Sequence, residues 1–250
     1  MRKMNILIVV GVAAVVVLGA GWFACGGWRS IATRYDDDSS SDAAIGEIRV
    51  TGGTIAVEVR PGTVSGVQIH RVARYLNPLH GRPGTTWRIA GNVLELHGDD
   101  STPFSLVEYV VMVPAGVRVT ADIGTGSLDL TGISSADLKV GTGAVKIADG
   151  TGSVTTRVGT GEIRATNLRA DTVVATTGTG SIFLDLATPA DVDAEASTGS
   201  LDLTVASAAY RVEASVGSLG KADVRVPNDP TASHRLSLRT GTGSLTLAPR

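Results

Sequence analysis

The sequence predicts an all-β protein: a parallel β-helix, or β-solenoid, with coils of about 18 residues, preceded by one N-terminal transmembrane helix. Three observations predict it. A short phrase, a glycine corner followed by an alternating apolar strand, recurs as Gly124-Thr125-Gly126-Ser127-Leu128-Asp129-Leu130, Gly178-Thr179-Gly180-Ser181-Ile182-Phe183-Leu184 and Gly241-Thr242-Gly243-Ser244-Leu245-Thr246-Leu247. The phrase returns at a nearly constant period, which is the mark of a repeat architecture. Ahead of the repeats, the stretch 6–25 runs without a single charge.

The chain opens on Arg2 and Lys3, then passes through the uncharged stretch to Cys25. At about 1.5 Å per residue such a helix covers roughly 30 Å, the hydrocarbon thickness of a bilayer. Trp22, Phe23 and Trp28 gather at its far end, where aromatic rings favour the membrane–water interface. Residues 1–28 are therefore expected to be an uncleaved signal-anchor helix, with the remainder extracytoplasmic. Two other readings of this segment stay open: a cleaved signal peptide, and a lipoprotein signal in which Cys25 receives lipid. The lone cysteine excludes an intramolecular disulfide framework.

Residues 29–44 contain Asp36-Asp37-Asp38-Ser39-Ser40-Ser41-Asp42, a polar run with little to bury, and are expected to be a flexible acidic and serine-rich linker. Residues 45–116 alternate in strand fashion at irregular spacing, as in Ile55-Ala56-Val57-Glu58-Val59 and Tyr109-Val110-Val111-Met112-Val113, broken by turn pairs such as Pro61-Gly62 and Pro83-Gly84. They are expected to form irregular β coils that cap one end of the stack.

Residues 117–250 carry the regular repeats. With Gly126, Gly143, Gly161, Gly180, Gly199, Gly217 and Gly243 as markers, the steps are 17, 18, 19, 19, 18 and 26, the last lengthened around Pro227-Asn228-Asp229-Pro230. Two residues after the marker stand Leu128, Val145, Ile163, Ile182, Leu201, Leu219 and Leu245, all aliphatic. Four after it stand Leu130, Ile147, Ala165, Leu184, Leu203, Lys221 and Leu247, with Lys221 out of character. Between these columns lie Asp129, Lys146, Arg164, Phe183, Asp202, Gly220 and Thr246, which must face solvent. Side chains alternate along a strand, so the switch from inward Ala121 and Ile123 to inward Leu128 and Leu130 requires a corner at the glycines. Successive coils can then stack only through parallel pairing at about 4.8 Å.

A net charge of −2 and a pI near 6.1 argue against nucleic acid as a partner. His70, His80, His97 and His234 are scattered without metal-ligand spacing, and no paired carboxylates or nucleophile–base set stands out. The glycine phrases lead into strands, whereas a phosphate cradle needs a following helix. No catalytic, cofactor-binding or metal residue is expected, and no enzyme. Asp191, Asp193 and Glu195 share one strand face, and the bases Lys146, Arg164, Arg157 and Arg169 lie near one another in the repeats; both groups are expected to be solvated surface charge, the alternatives being a cation for the first and an anionic polymer for the second.

Through Val113-Pro114-Ala115-Gly116 entering the repeats, and the Thr-Gly-Ser-Leu-x-Leu phrases at Thr125, Thr198 and Thr242, the chain resembles a bacterial family described as "putative adhesins" with β-strand repeats. The resemblance covers most of the sequence after the spacer. It implies a solenoid of parallel strands and a place outside the cytoplasmic membrane. The expected function is a membrane-anchored, non-enzymatic structural or interaction module of the cell envelope, with an envelope protein or cell-wall polymer as partner. The alternatives are an envelope-stress sensor acting through a membrane partner and, third, a carbohydrate-active enzyme. Ligand, hand of the solenoid and oligomeric state are left open by the sequence.

Overall fold

Alternation of small aliphatic and polar side chains favours extended backbone nearly everywhere, because one face of each strand can be buried while the other stays wet. A computed structural model describes residues 33–75, 86–98 and 106–250, and there the regular structure is entirely β. The strands are β1 (Thr33–Ser41), β2 (Glu47–Pro61), β3 (Val67–Tyr75), β4 (Trp87–Ala90), β5 (Val93–His97), β6 (Leu106–Val113), β7 (Arg118–Thr131), β8 (Ser135–Ala148), β9 (Val154–Leu168), β10 (Thr172–Leu186), β11 (Asp191–Val205), β12 (Tyr210–Val216), β13 (Lys221–Val224) and β14 (His234–Pro249).

They form one open 14-stranded sheet, whose main path runs β1-β3-β6-β2-β7-β8-β9-β10-β11-β14-β12. From β2 to β14 the pairing is parallel and in register, so that Leu128, Val145, Ile163, Ile182, Leu201 and Leu245 make one continuous ladder. These side chains are at most 1% exposed. Burying each contributes roughly 1.5–3 kcal/mol.

Each long strand bends at its glycine corner, which divides it into a first and a second arm. In β8 the buried residues are Ala136, Leu138 and Val140 before the corner, and Val145 and Ile147 after it. The parity of burial therefore flips between the arms, as the sequence required. The corner glycines stand in register at φ between +138° and +150°, from Gly126 through Gly143, Gly161, Gly180 and Gly199 to Gly243. A Cβ on Gly143 would lie 1.7 Å from the carbonyl oxygen of Gly126, so no other residue fits.

Several expectations need correction. The acidic stretch inside residues 29–44 is not wholly a free linker: Thr33–Ser41 is the edge strand β1, antiparallel to β3. Basic partners on β3 make this possible, since Asp37 meets Arg71 at 2.7 Å and Asp38 meets His70 at 2.7 Å. Within 45–116, β2 already has the two-armed burial pattern of the repeat strands, with Ile48 and Val50 buried in its first part and Ile55, Val57 and Val59 in its second.

The strand order also departs from the sequence order. Gly199 pairs with Gly243 directly, because β14 inserts between β11 and the β12–β13 coil. On these outermost strands Lys221 aligns with Ser244 and Ala222 with Leu245, so Gly220 rather than Gly217 stands level with the corner glycine Gly243. Leu219, expected inside, is 83% exposed, since one extra residue throws it outward.

The anchor helix expected at 1–28 lies outside the described residues, and among those described no helix is long and apolar enough to cross a membrane.

A candidate interaction face on the second arms

Parallel in-register stacking turns every outward position into a column, so any surface of this molecule is set by which side chains the repeat places there. On the second arms the column reads Glu58, Asp129, Lys146, Arg164, Phe183, Asp202 and Thr246. At about 4.8 Å per step it is roughly 29 Å long.

Its centre differs from the rest of the surface. The guanidinium of Arg164 lies 4.8 Å from the ring centroid of Phe183, a cation–π contact on the solvent side of the sheet. Arg164 Nε also donates to Glu162 Oε1 at 2.6 Å. Beside it, Lys146 is half-buried and makes no ion pair among the described residues. Asp129 and Asp202 close the band at either side.

The first-arm face is different, because its charges answer one another between neighbouring strands. Lys139 meets Asp122 at 3.4 Å, Arg157 meets Asp137 at 3.9 Å, Arg239 meets Asp193 at 3.4 Å and Arg235 meets Glu213 at 2.7 Å. Glu213 is held below its ordinary range by the hydrogen bond from Arg235. Exposed pairs of this kind stabilise little, but they leave the face nearly neutral.

Of the four bases singled out in the sequence, the structure brings together Lys146 and Arg164 on the second-arm face. Arg157 lies on the first-arm face, and Arg169 bridges to Thr151 in the return turns. The acids Asp191 and Asp193 are met by β14: the Arg235 N–H donates to Asp191 at 2.9 Å, and His234 stands 3.7 Å from it. His97 hydrogen-bonds Thr51 at 2.7 Å and lies 3.8 Å from Glu95; His80 lies outside the described residues. Among the described residues no group of three His, Cys, Asp or Glu is arranged to hold a metal.

Sequence reasoning missed a polar cluster that closes the β1–β6 end. Arg71, only 4% exposed, bonds Asp37 at 2.7 Å and Thr86 Oγ1 at 3.1 Å. The Tyr109 hydroxyl donates to the Thr86 carbonyl at 2.9 Å, and burial pushes its pKa up to about 12. Glu95 sits between Arg88 and Arg49, and the hydrogen bond from Arg88 holds it below the usual carboxylate range. A carboxylate kept ionised between two bases is poorly suited to donate a proton. The available signal was Tyr109 at an inward position of an otherwise aliphatic strand, since a buried phenol needs a partner.

No family model matches the sequence, and no curated protein matches it. Several solved bacterial structures are similar to it. One is a "putative cell adhesion protein" from Clostridium sporogenes, at 10% identity over 87% of this chain and 100% of that one, with a TM-score of 0.38. Another is a "putative adhesin" from Parabacteroides distasonis, at 15% identity over 87% and 97%, with a TM-score of 0.43. A "putative lipid binding protein" from the same species matches at 10% identity over 86% and 96%, with a TM-score of 0.41. The superpositions are loose, and they assign neither ligand nor activity to this chain.

Proposed function

We propose that the protein is a membrane-anchored, extracytoplasmic β-solenoid that serves as a non-enzymatic interaction module of the cell envelope, presenting its second-arm face to an extended anionic wall polymer. Coil closure is supported by chain length. A straight 14-residue strand like β7 would span roughly 46 Å. Yet only residues 132–134 separate its end from the start of β8, a link that reaches at most about 14 Å. Ser135 pairs beside Arg118, which supports a strand that doubles back at its glycine corner and winds as a coil.

The interaction reading is carried by one observation: the Lys146, Arg164 and Phe183 band, where cations and an aromatic ring stand side by side in adjacent coils. Cations meet the negative groups of a polymer, and an aromatic face stacks on a sugar ring. Each coil presents one outward residue per column at a fixed spacing, which suits a linear ligand. The engaged state of Glu95, and the pairing of first-arm acids with bases, support a binding role over hydrolysis.

The test is co-sedimentation of the full chain with isolated cell-wall sacculi. The wild type is expected to sediment with them, less so as salt rises, and the double substitution Lys146→Glu with Phe183→Ala to lose most of that binding at unchanged melting temperature. Equal binding by the variant overturns the assignment of the face. Protease added to spheroplasts is expected to digest residues 45–250, and protection there overturns the orientation.

A further inference from the structure

The two large apolar side chains that stand exposed among the described residues, Leu219 at 83% and Val224 at 42%, belong to one coil, made by β12 and β13. Insertion of β14 on its inner side makes this coil the end of the sheet. Its two halves are treated differently. The outer edge of β12 is covered by the following segment: Asn228 Oδ1 accepts from the Val212 N–H at 2.9 Å, and the Asp229 N–H donates to the Tyr210 carbonyl at 2.9 Å. Among the described residues, the edge of β13 has no such cover. Arg225 N–H donates inward to Leu247 at 2.8 Å, so alternation points the amide groups of Ala222 and Val224 away from β14, the one strand that pairs with β13. At the opposite end of the sheet, β1 carries Arg34, Asp36 and Asp38 outward, charges that discourage strand addition.

We infer that the β13 edge is an interface between two copies of this chain, paired antiparallel about a two-fold axis through Ala222. The charge pattern suits a second copy as the partner, and the extent of β13 then limits the register, since centring on Val224 sets Asp223 opposite Arg225 but runs beyond the strand into Pro227. A two-fold pairing that keeps apolar faces together must be centred on a residue. Centring on Asp223 sets two like charges face to face, which is unfavourable. Centring on Ala222 places Lys221 of each copy opposite Asp223 of the other, twice, where Asp223 also meets Arg225 of its own chain, and brings the amide groups of Ala222 into pairing. Val224 and Leu219 lie at the same edge and lose contact with water when the copies meet. The strand is self-complementary, so a second copy is its occupant.

Sedimentation velocity on the full chain in detergent micelles, over a wide range of protein concentration, tests this. A monomer–dimer equilibrium is expected. Asp223→Lys sets like charges opposite each other at two places and is expected to weaken dimerisation about tenfold or more. The charge exchange Lys221→Asp with Asp223→Lys is expected to restore it, and melting temperatures of both variants control for folding. Ala222→Cys in a Cys25→Ser background is expected to give a covalent dimer under mild oxidation. A monomer at all concentrations, a dimer indifferent to Asp223→Lys, or an exchange that fails to rescue each overturns the inference.

Discussion

Gly161 and Thr177 show how differently two neighbouring residues of the repeat are constrained. A Cβ on Gly161 would come within 1.7 Å of the Gly143 carbonyl oxygen, and the backbone is held at φ +144°. Thr177 is fully buried between Val158 and Ala196, and its hydroxyl has no hydrogen-bond partner among the described residues. Substitutions at the two sites should act in opposite directions. Gly161→Ala forces β8 and β9 apart and is expected to cost on the order of 3–5 kcal/mol. Thr177→Val removes an unsatisfied buried hydroxyl at nearly constant volume and is expected to stabilise by about 1 kcal/mol, raising the melting temperature by roughly 2–4 °C. Thermal unfolding followed by circular dichroism reads both. The inward places of Gly161's neighbours Val158 and Ile163 were legible in sequence, because aliphatics recur there at a fixed offset from the corner. Leu219 was misread for a physical reason: one added residue between Gly217 and Lys221 breaks that offset, and nothing local marks which glycine makes the turn.

Among the elements, the long strands of the repeat were legible and the strands at the first end were less so. Strand β1 has the composition of a spacer, and it becomes a strand through Arg71 and His70, which lie more than thirty residues away in sequence. The partner of a polar edge strand cannot be read from the strand itself. The same end depends on the Tyr109 phenol of β6, which is neutral and hydrogen-bonded in the fold. Its pKa is raised by burial to about 12 from an ordinary 10, so the stability it contributes is fully present below pH 10 and is lost as pH rises from about 10 to 12. Tyr109→Phe is therefore expected to lower stability at neutral pH and to flatten the decline over that alkaline range. Denaturant unfolding at a series of pH values measures both effects, and parallel curves for the two proteins would rule the phenol out as their source.

At the scale of the whole molecule, the repeat period announced parallel stacking, whereas the order of the last coils was hidden. The step of 26 residues reads in sequence as a simple insertion. In the structure the lengthened segment carries the chain back, so that β14 enters beside β11 and the earlier β12–β13 coil is left outermost. Hydrophobicity explains the exchange. β14 brings Leu236, Leu238, Leu245 and Leu247 to a position covered on both sides, and all four are buried, whereas β12 and β13 supply the smaller Val212, Ala214, Ala222 and Val224 at the matching places and tolerate one open side. This order creates the exposed end from which association is inferred, and it completes the ladder on which the outward face is built.

A cysteine pair at Asp202 and Thr246, in a Cys25→Ser background, tests this winding most directly. The two residues are register partners on adjacent strands, within the Cα separation of roughly 4.4–6.8 Å that a disulfide spans. The coil order described here predicts rapid intramolecular cross-linking of Asp202→Cys with Thr246→Cys, and none for Asp202→Cys with Asp223→Cys, which β14 separates. Cross-linking of the second pair in place of the first would show coils stacked in sequence order and would contradict the account.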